Sequence, residues 1–196
     1  MQSVVTEMTE RADLRIPGEA GVWVLIFGDM IVFGVFFVTF AVYRSQNPSL
    51  YDHAQQLMSQ VFGVTNTVLL LSSSWFVALA VRRTRLGRNT LAPVLFALAF
   101  ACGVGFSVMK FLEYGEKIRA GLTLNTNEFY TFYYMFTGIH FVHVLIGMAV
   151  LAYLGFISRR EVLTEADMTM LESGASFWHL VDILWIVLFT LLYLMK

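Results

Sequence analysis

Five stretches of this chain, at about 22–43, 63–81, 91–112, 129–157 and 174–195, are long and apolar enough to cross a lipid bilayer. A hydrocarbon core about 30 Å thick takes about 20 helical residues, and a single run of this length is a helix and not a barrel strand. With 58% apolar and 14% charged residues, against about 25% charged in a soluble domain, the chain lacks the polar surface of a water-soluble fold. The expected fold is an all-α, polytopic bundle of five transmembrane helices with one domain over 17–196 and an N-terminal tail over 1–16. That tail has no apolar core, so it is not expected to be a cleavable signal, and the first helix serves for targeting. The single cysteine, Cys102, excludes an intrachain disulfide framework. No basic arm points to nucleic acid.

Lys and Arg set the expected orientation. Eight fall on the side of the N-terminal tail and of the second and fourth loops, four of them as Arg82, Arg83, Arg85 and Arg88. Five fall on the other side. Positive charge is retained inside, which puts the N-terminus in the cytoplasm and the C-terminus outside.

A few polar residues stand inside the apolar runs. Asp29 lies well within the first helix, where a bare carboxylate costs about 2.5–3.5 kcal/mol, so it calls for a partner or a proton. It reads either as a proton-exchanging or lipid-contacting group or as a packing acid. His140 and His143 on the fourth helix, and His179 and Asp182 on the fifth, are each three apart and therefore neighbours on one helix face. An imidazole beside a carboxylate holds a defined tautomer, and a contact between Asp29 and one of these histidines is expected. The three histidines also admit a haem or metal reading, against the plainer one of hydrogen bonds between helices. Asn66, Thr67 and Ser72–Ser74 offer small polar contacts in the second helix, and Ala97, Ala101 and Gly105 a small-residue stripe in the third. Glu113 and Glu116, with Lys110 and Lys117, read as interfacial i,i+3 and i,i+4 partners at the end of the third helix, and the ten methionines as packing filler.

Taken in order, these segments resemble the subunit III family of haem–copper oxidases. The resemblance rests on Gly21–Val22–Trp23 through Asp29 to Phe36–Phe37, on Asn66–Thr67 with Leu69–Leu70–Leu71, and on Glu113–Tyr114. Its most specific parts are Thr137–Gly138–Ile139–His140–Phe141–Val142–His143 with Gly147, and Trp178–His179–Leu180–Val181–Asp182 with Trp185. It covers residue 17 to the C-terminus in the five-helix form of the family. Lys110 stands where oxidase members usually have Gln. Residues Arg15–Glu19, with Lys110, Glu113, Tyr114 and Lys117, look more like NorE, the branch associated with nitric oxide reductase.

The resemblance implies a non-catalytic accessory subunit in a bacterial plasma membrane, packed beside the catalytic subunit I and binding phospholipid. It implies no haem or metal on this chain, with haem and copper or iron in the partner subunits. Asp29, Glu113, His140, His143, His179 and Asp182 then become buried polar groups with proton- or lipid-associated roles, and Asp29 resembles the family's embedded carboxylate. The competing readings are a membrane b-type cytochrome ligated through His140 or His143 with His179, and a small proton-coupled transporter built around Asp29.

Overall fold

A computed structural model describes residues 18–87, 89–160 and 162–195; the tail expected over 1–16 lies outside them. Among the described residues all regular structure is helical. The helices are α1 (Ala20–Gln46), α2 (Pro48–Gln56), α3 (Gln60–Arg85), α4 (Ala92–Arg119), α5 (Glu128–Ile157) and α6 (Glu165–Phe189), the last continued by a π-helical turn over Thr190–Leu194. Five of them, all but α2, are long and apolar enough to cross a membrane, as the apolar runs require.

Three boundaries differ from the sequence expectation. First, the connection after α1 is itself helical. Pro48 at the first turn starts α2, where its missing N–H costs nothing, and Tyr51 and Ala54 bury its inner face. Burial, with Glu128 nearby, pushes the Tyr51 phenol up to about 12. Second, α4 runs on to Arg119, seven residues past the expected end at 112. Third, α6 begins nine residues before the expected 174. Thr164 and Asp167 cap each other's backbone N–H groups in a reciprocal box, which satisfies donors that an acid-rich loop would leave to solvent.

The bundle core is aromatic, and it is closed by glycines at points of close approach. A side chain at Gly147 would come within 2.6 Å of the Trp178 ring, and one at Gly63 within 2.5 Å of Phe189; at both places the missing Cβ makes room for a ring. The buried residues of α4 follow one line: Ala92, Phe96, Ala99, Gly103, Phe106, Lys110, Glu113 and Lys117. Ala97 and Ala101 lie off this line and are exposed, so the expected small-residue stripe is not the contact face; its third member, Gly105, faces Leu69 of α3. α3 seats its own line, from Gly63 through Asn66, Leu70, Ser73 and Val77 to Thr84, within the bundle. α1 is attached more lightly. It buries only Ile26, Phe33 and Phe40, using Phe33 against His143 and Phe36 and Phe40 against Phe136 of α5. Where α1 begins, the Glu19 N–H donates to the Ser173 hydroxyl of α6 at 2.8 Å.

Candidate functional site: polar groups between the helices

Asp29 finds its partner on α5. Its Oδ2 lies 3.3 Å from His143 Nε2, with the two side chains 24% and 18% exposed. The other ring nitrogen, Nδ1, is 2.9 Å from the Ile139 carbonyl oxygen. A carbonyl only accepts, so Nδ1 carries a hydrogen. Nε2 is then the ring nitrogen left to face the Asp29 carboxyl group, an acid–base contact between α1 and α5. A partnered carboxyl group is less costly among apolar helices than a bare one. Phe33, 1% exposed, closes one side of the imidazole, with ring centroids 5.6 Å apart. The expected contact between Asp29 and a histidine is present, and it runs to α5, not α6.

His140 and His143 are helix neighbours with different surroundings. His140 is fully buried, its ring 5.9 Å from Phe106 and 5.4 Å from Trp185, and neither ring nitrogen has a hydrogen-bond partner. On α6, His179 Nδ1 meets the Ser74 hydroxyl of α3 at 2.6 Å. Asp182, one turn on, is 3% exposed, and neither of its carboxyl oxygens has a hydrogen-bond partner. Trp178 and Trp185 continue the seam by donating to Ser73 and Thr67, both at 3.1 Å. The small hydroxyls of α3 thus serve α6 along its length.

Glu113 belongs to a cluster that was expected to be interfacial and is instead enclosed. Lys110 Nζ lies 2.9 Å from Glu113 Oε2, with side chains 2% and 0% exposed. The Lys110 ammonium also donates to Tyr133 and Tyr193 at 3.4 and 3.3 Å, and Tyr193 donates to Glu113 Oε1 at 2.6 Å. The rings of Tyr114, Tyr133, Trp185 and Tyr193 stand around the ammonium at 5.1–5.9 Å, within cation–π range. The reason for the misplacement is helical phase. Lys110 and Glu113 continue the buried line of Gly103 and Phe106, so lengthening α4 carries them into the bundle. From sequence, Tyr133 and Tyr193 near the ends of two apolar runs read as interfacial anchors; both are instead buried in this cluster.

Among the described residues, no three His, Cys, Asp or Glu side chains gather as a metal-holding group. The cytochrome alternative finds no support: His140 is wedged between two aromatic rings and His179 is engaged by a hydroxyl.

Comparison with known proteins agrees with this arrangement. A family profile described as cytochrome c oxidase subunit III matches residues 14–196. Similar relatives include a cytochrome bo(3) ubiquinol oxidase subunit 3 from Buchnera aphidicola, 27% identical over 177 residues that cover 89% of this chain and 92% of the relative. A quinol oxidase subunit 3 from Bacillus subtilis is 26% identical over 177 residues, covering 89% and 85%. A cytochrome c oxidase subunit 3 from Synechocystis is 28% identical over 184 residues, covering 93% and 76%. With nearly its whole length matched and its five membrane-crossing helices in place, this chain belongs to the cytochrome c oxidase subunit III family.

Proposed function

We propose that this multi-pass bacterial plasma-membrane protein is a non-catalytic accessory subunit seated against the catalytic subunit I of a respiratory haem–copper oxidase or nitric oxide reductase. Haem and metal chemistry belongs to the partner subunits, and phospholipid fills part of this chain's surface. The observation that carries the reading is the Asp29–His143 pair. It is an acid–base contact between α1 and α5, and it is partly open at the margin of the bundle. An acid–base pair open on one side is placed to exchange a proton with a neighbouring group.

In this reading the N-terminus is cytoplasmic, supported by the eight cations on that side, and Asp29 sits on the inner half of α1. The Lys110, Glu113, Tyr114 and Lys117 pattern favours NorE and a nitric oxide-reducing partner, whereas the named relatives are subunits of quinol and cytochrome c oxidases. Purification of the tagged chain from native membranes, with haem spectra and identification of what comes with it, decides the partner. In that complex Asp29→Asn is expected to lower turnover or shorten the active lifetime, while the chain's own stability changes by less than about 1 kcal/mol. Unchanged turnover and unchanged inactivation kinetics would remove the role given to Asp29.

A further inference from the structure

Around Lys110 the oxidisable rings form a continuous series. At its buried end the Trp185 ring centroid lies 6.5 Å from that of Tyr193. The hydroxyls of Tyr193 and Tyr133 flank the same ammonium at 3.3 and 3.4 Å, and the Tyr133 ring lies 5.1 Å from that of Tyr134. Tyr134 is partly exposed, and its hydroxyl donates to the Leu122 carbonyl, just beyond the end of α4 at Arg119. Each ring thus touches the next or shares a hydrogen-bond partner with it, from the core of the bundle to its edge.

What a ring does on losing an electron depends on where its proton goes. An oxidised phenol sheds its proton, and a base already in contact takes it without rearrangement. Tyr193 has that base: its hydroxyl donates to Glu113 Oε1 at 2.6 Å, the length of a charge-assisted O–H···O⁻ bond. The neighbouring phenols are placed differently. Tyr134 faces a carbonyl, Tyr114 pairs with the Thr137 hydroxyl at 2.5 Å, and Tyr133 receives a hydrogen bond from the ammonium. The Trp185 indole donates to the Thr67 hydroxyl. Its ring stands 5.1 Å from the Lys110 ammonium, so a second positive charge there is opposed by the first.

We propose that Tyr193 is a redox-active tyrosine, oxidised by a one-electron radical oxidant of the nitrogen-oxide class and reduced again from the surface through Tyr134 and Tyr133. In the first step Tyr193 gives one electron to the oxidant, so that nitrogen dioxide becomes nitrite, and gives its phenolic proton to Glu113. The products in the protein are a neutral tyrosyl radical and a neutral carboxylic acid. The positive charge left over resides on the Lys110 ammonium, among ring faces that suit a cation. In the second step an outside reductant gives an electron to Tyr134. It passes through Tyr133 to Tyr193, and Glu113 returns the proton. Only electrons cross the boundary of the cluster, because the enclosed hydrogen bonds keep the proton between two atoms.

The full chain in detergent micelles is illuminated with tris(bipyridine)ruthenium and a cobalt(III) electron acceptor, which together generate a one-electron oxidant, and is then frozen for electron paramagnetic resonance. A long-lived neutral tyrosyl radical is expected. Tyr193→Phe should remove most of it, whereas Tyr153→Phe, at an exposed tyrosine outside the cluster, leaves it in place. A ring-difluorinated tyrosine put in place of Tyr193 keeps the hydroxyl and the packing, and should add fluorine hyperfine splitting to the signal. Tyr134→Phe should lengthen the life of the radical in the presence of ascorbate. Absence of a tyrosyl signal, a signal that survives in full in Tyr193→Phe, or one without fluorine splitting in the difluorinated chain overturns the assignment. An unchanged lifetime in Tyr134→Phe overturns the route to the surface. The inference goes beyond the accessory role and does not rest on it, since the radical is read on this chain alone, without haem-containing subunits.

Discussion

Lys110 and Glu113 sit 2.9 Å apart with side chains 2% and 0% exposed, whereas Asp29 and His143 sit 3.3 Å apart with 24% and 18% exposed. Both are acid–base pairs inside membrane-crossing helices, yet they are built to opposite ends. Around Lys110 the hydrogen-bonding capacity is used up: a carboxylate, two phenols and four ring faces surround one ammonium. Nothing there is free to exchange with a neighbour. Around Asp29 there is one imidazole, one edge-on phenylalanine and an open side. A saturated pair fixes the positions of helices, and an unsaturated one remains available for chemistry at a boundary. The difference also follows the helices that carry them. α4 presents a continuous buried line, while α1 buries only three residues.

The largest break in this comparison should come from Lys110→Met, which leaves the Glu113 carboxylate enclosed without its cation. Loss of one member of a buried pair costs about 3–5 kcal/mol, measurable by unfolding the purified chain in mixed detergent micelles. The double change Lys110→Met with Glu113→Leu should recover most of that loss, since no charge is then stranded. A single variant as stable as the parent would show the cluster to be less enclosed than described. Tyr193→Phe comes next. It removes the hydroxyl that donates to Glu113 and should cost about 1–3 kcal/mol in the same assay. The smallest effect is expected at the open pair. A double-mutant cycle with Asp29→Asn and His143→Gln should give a coupling energy near 0.6 kcal/mol, the usual size for hydrogen bonds between membrane helices. A coupling as large as the Lys110 effect would place the two pairs in the same class.

Hydropathy made the five crossings legible, because about 20 consecutive apolar residues have few other fates. It failed for α2, whose Pro48–Gln56 segment carries Asp52, His53 and two glutamines and looks like any polar connection. It also cut α6 short, since Glu165, Asp167 and Glu172 dilute its first turns. There the readable sign was Thr164 three residues ahead of Asp167. Of the polar groups, Asp29 and the histidines could be named from sequence, but the pairing of Asp29 with His143 could not. That pairing depends on which helices lie side by side, and hydropathy carries no lateral information. Lys110 and Glu113 were visible as residues and misplaced as interfacial, because their burial follows from where α4 ends.

The buried line of α4 steps by four and three residues alternately from Ala92 to Lys117, and that of α3 does nearly the same from Gly63 to Thr84. A step pattern at or just under the 3.6 residues of a helical turn keeps a contact strip facing its neighbour with a slight left-handed twist of the helices about each other. In such a rope, polar residues at core positions fix the axial alignment. Lys110 and Glu113 occupy such positions, and their partners Tyr133 and Tyr193 belong to two other helices. A shift of α4 by one residue would swing the ammonium toward hydrocarbon and separate it from both phenols. The cluster therefore sets the vertical registration of three helices at once.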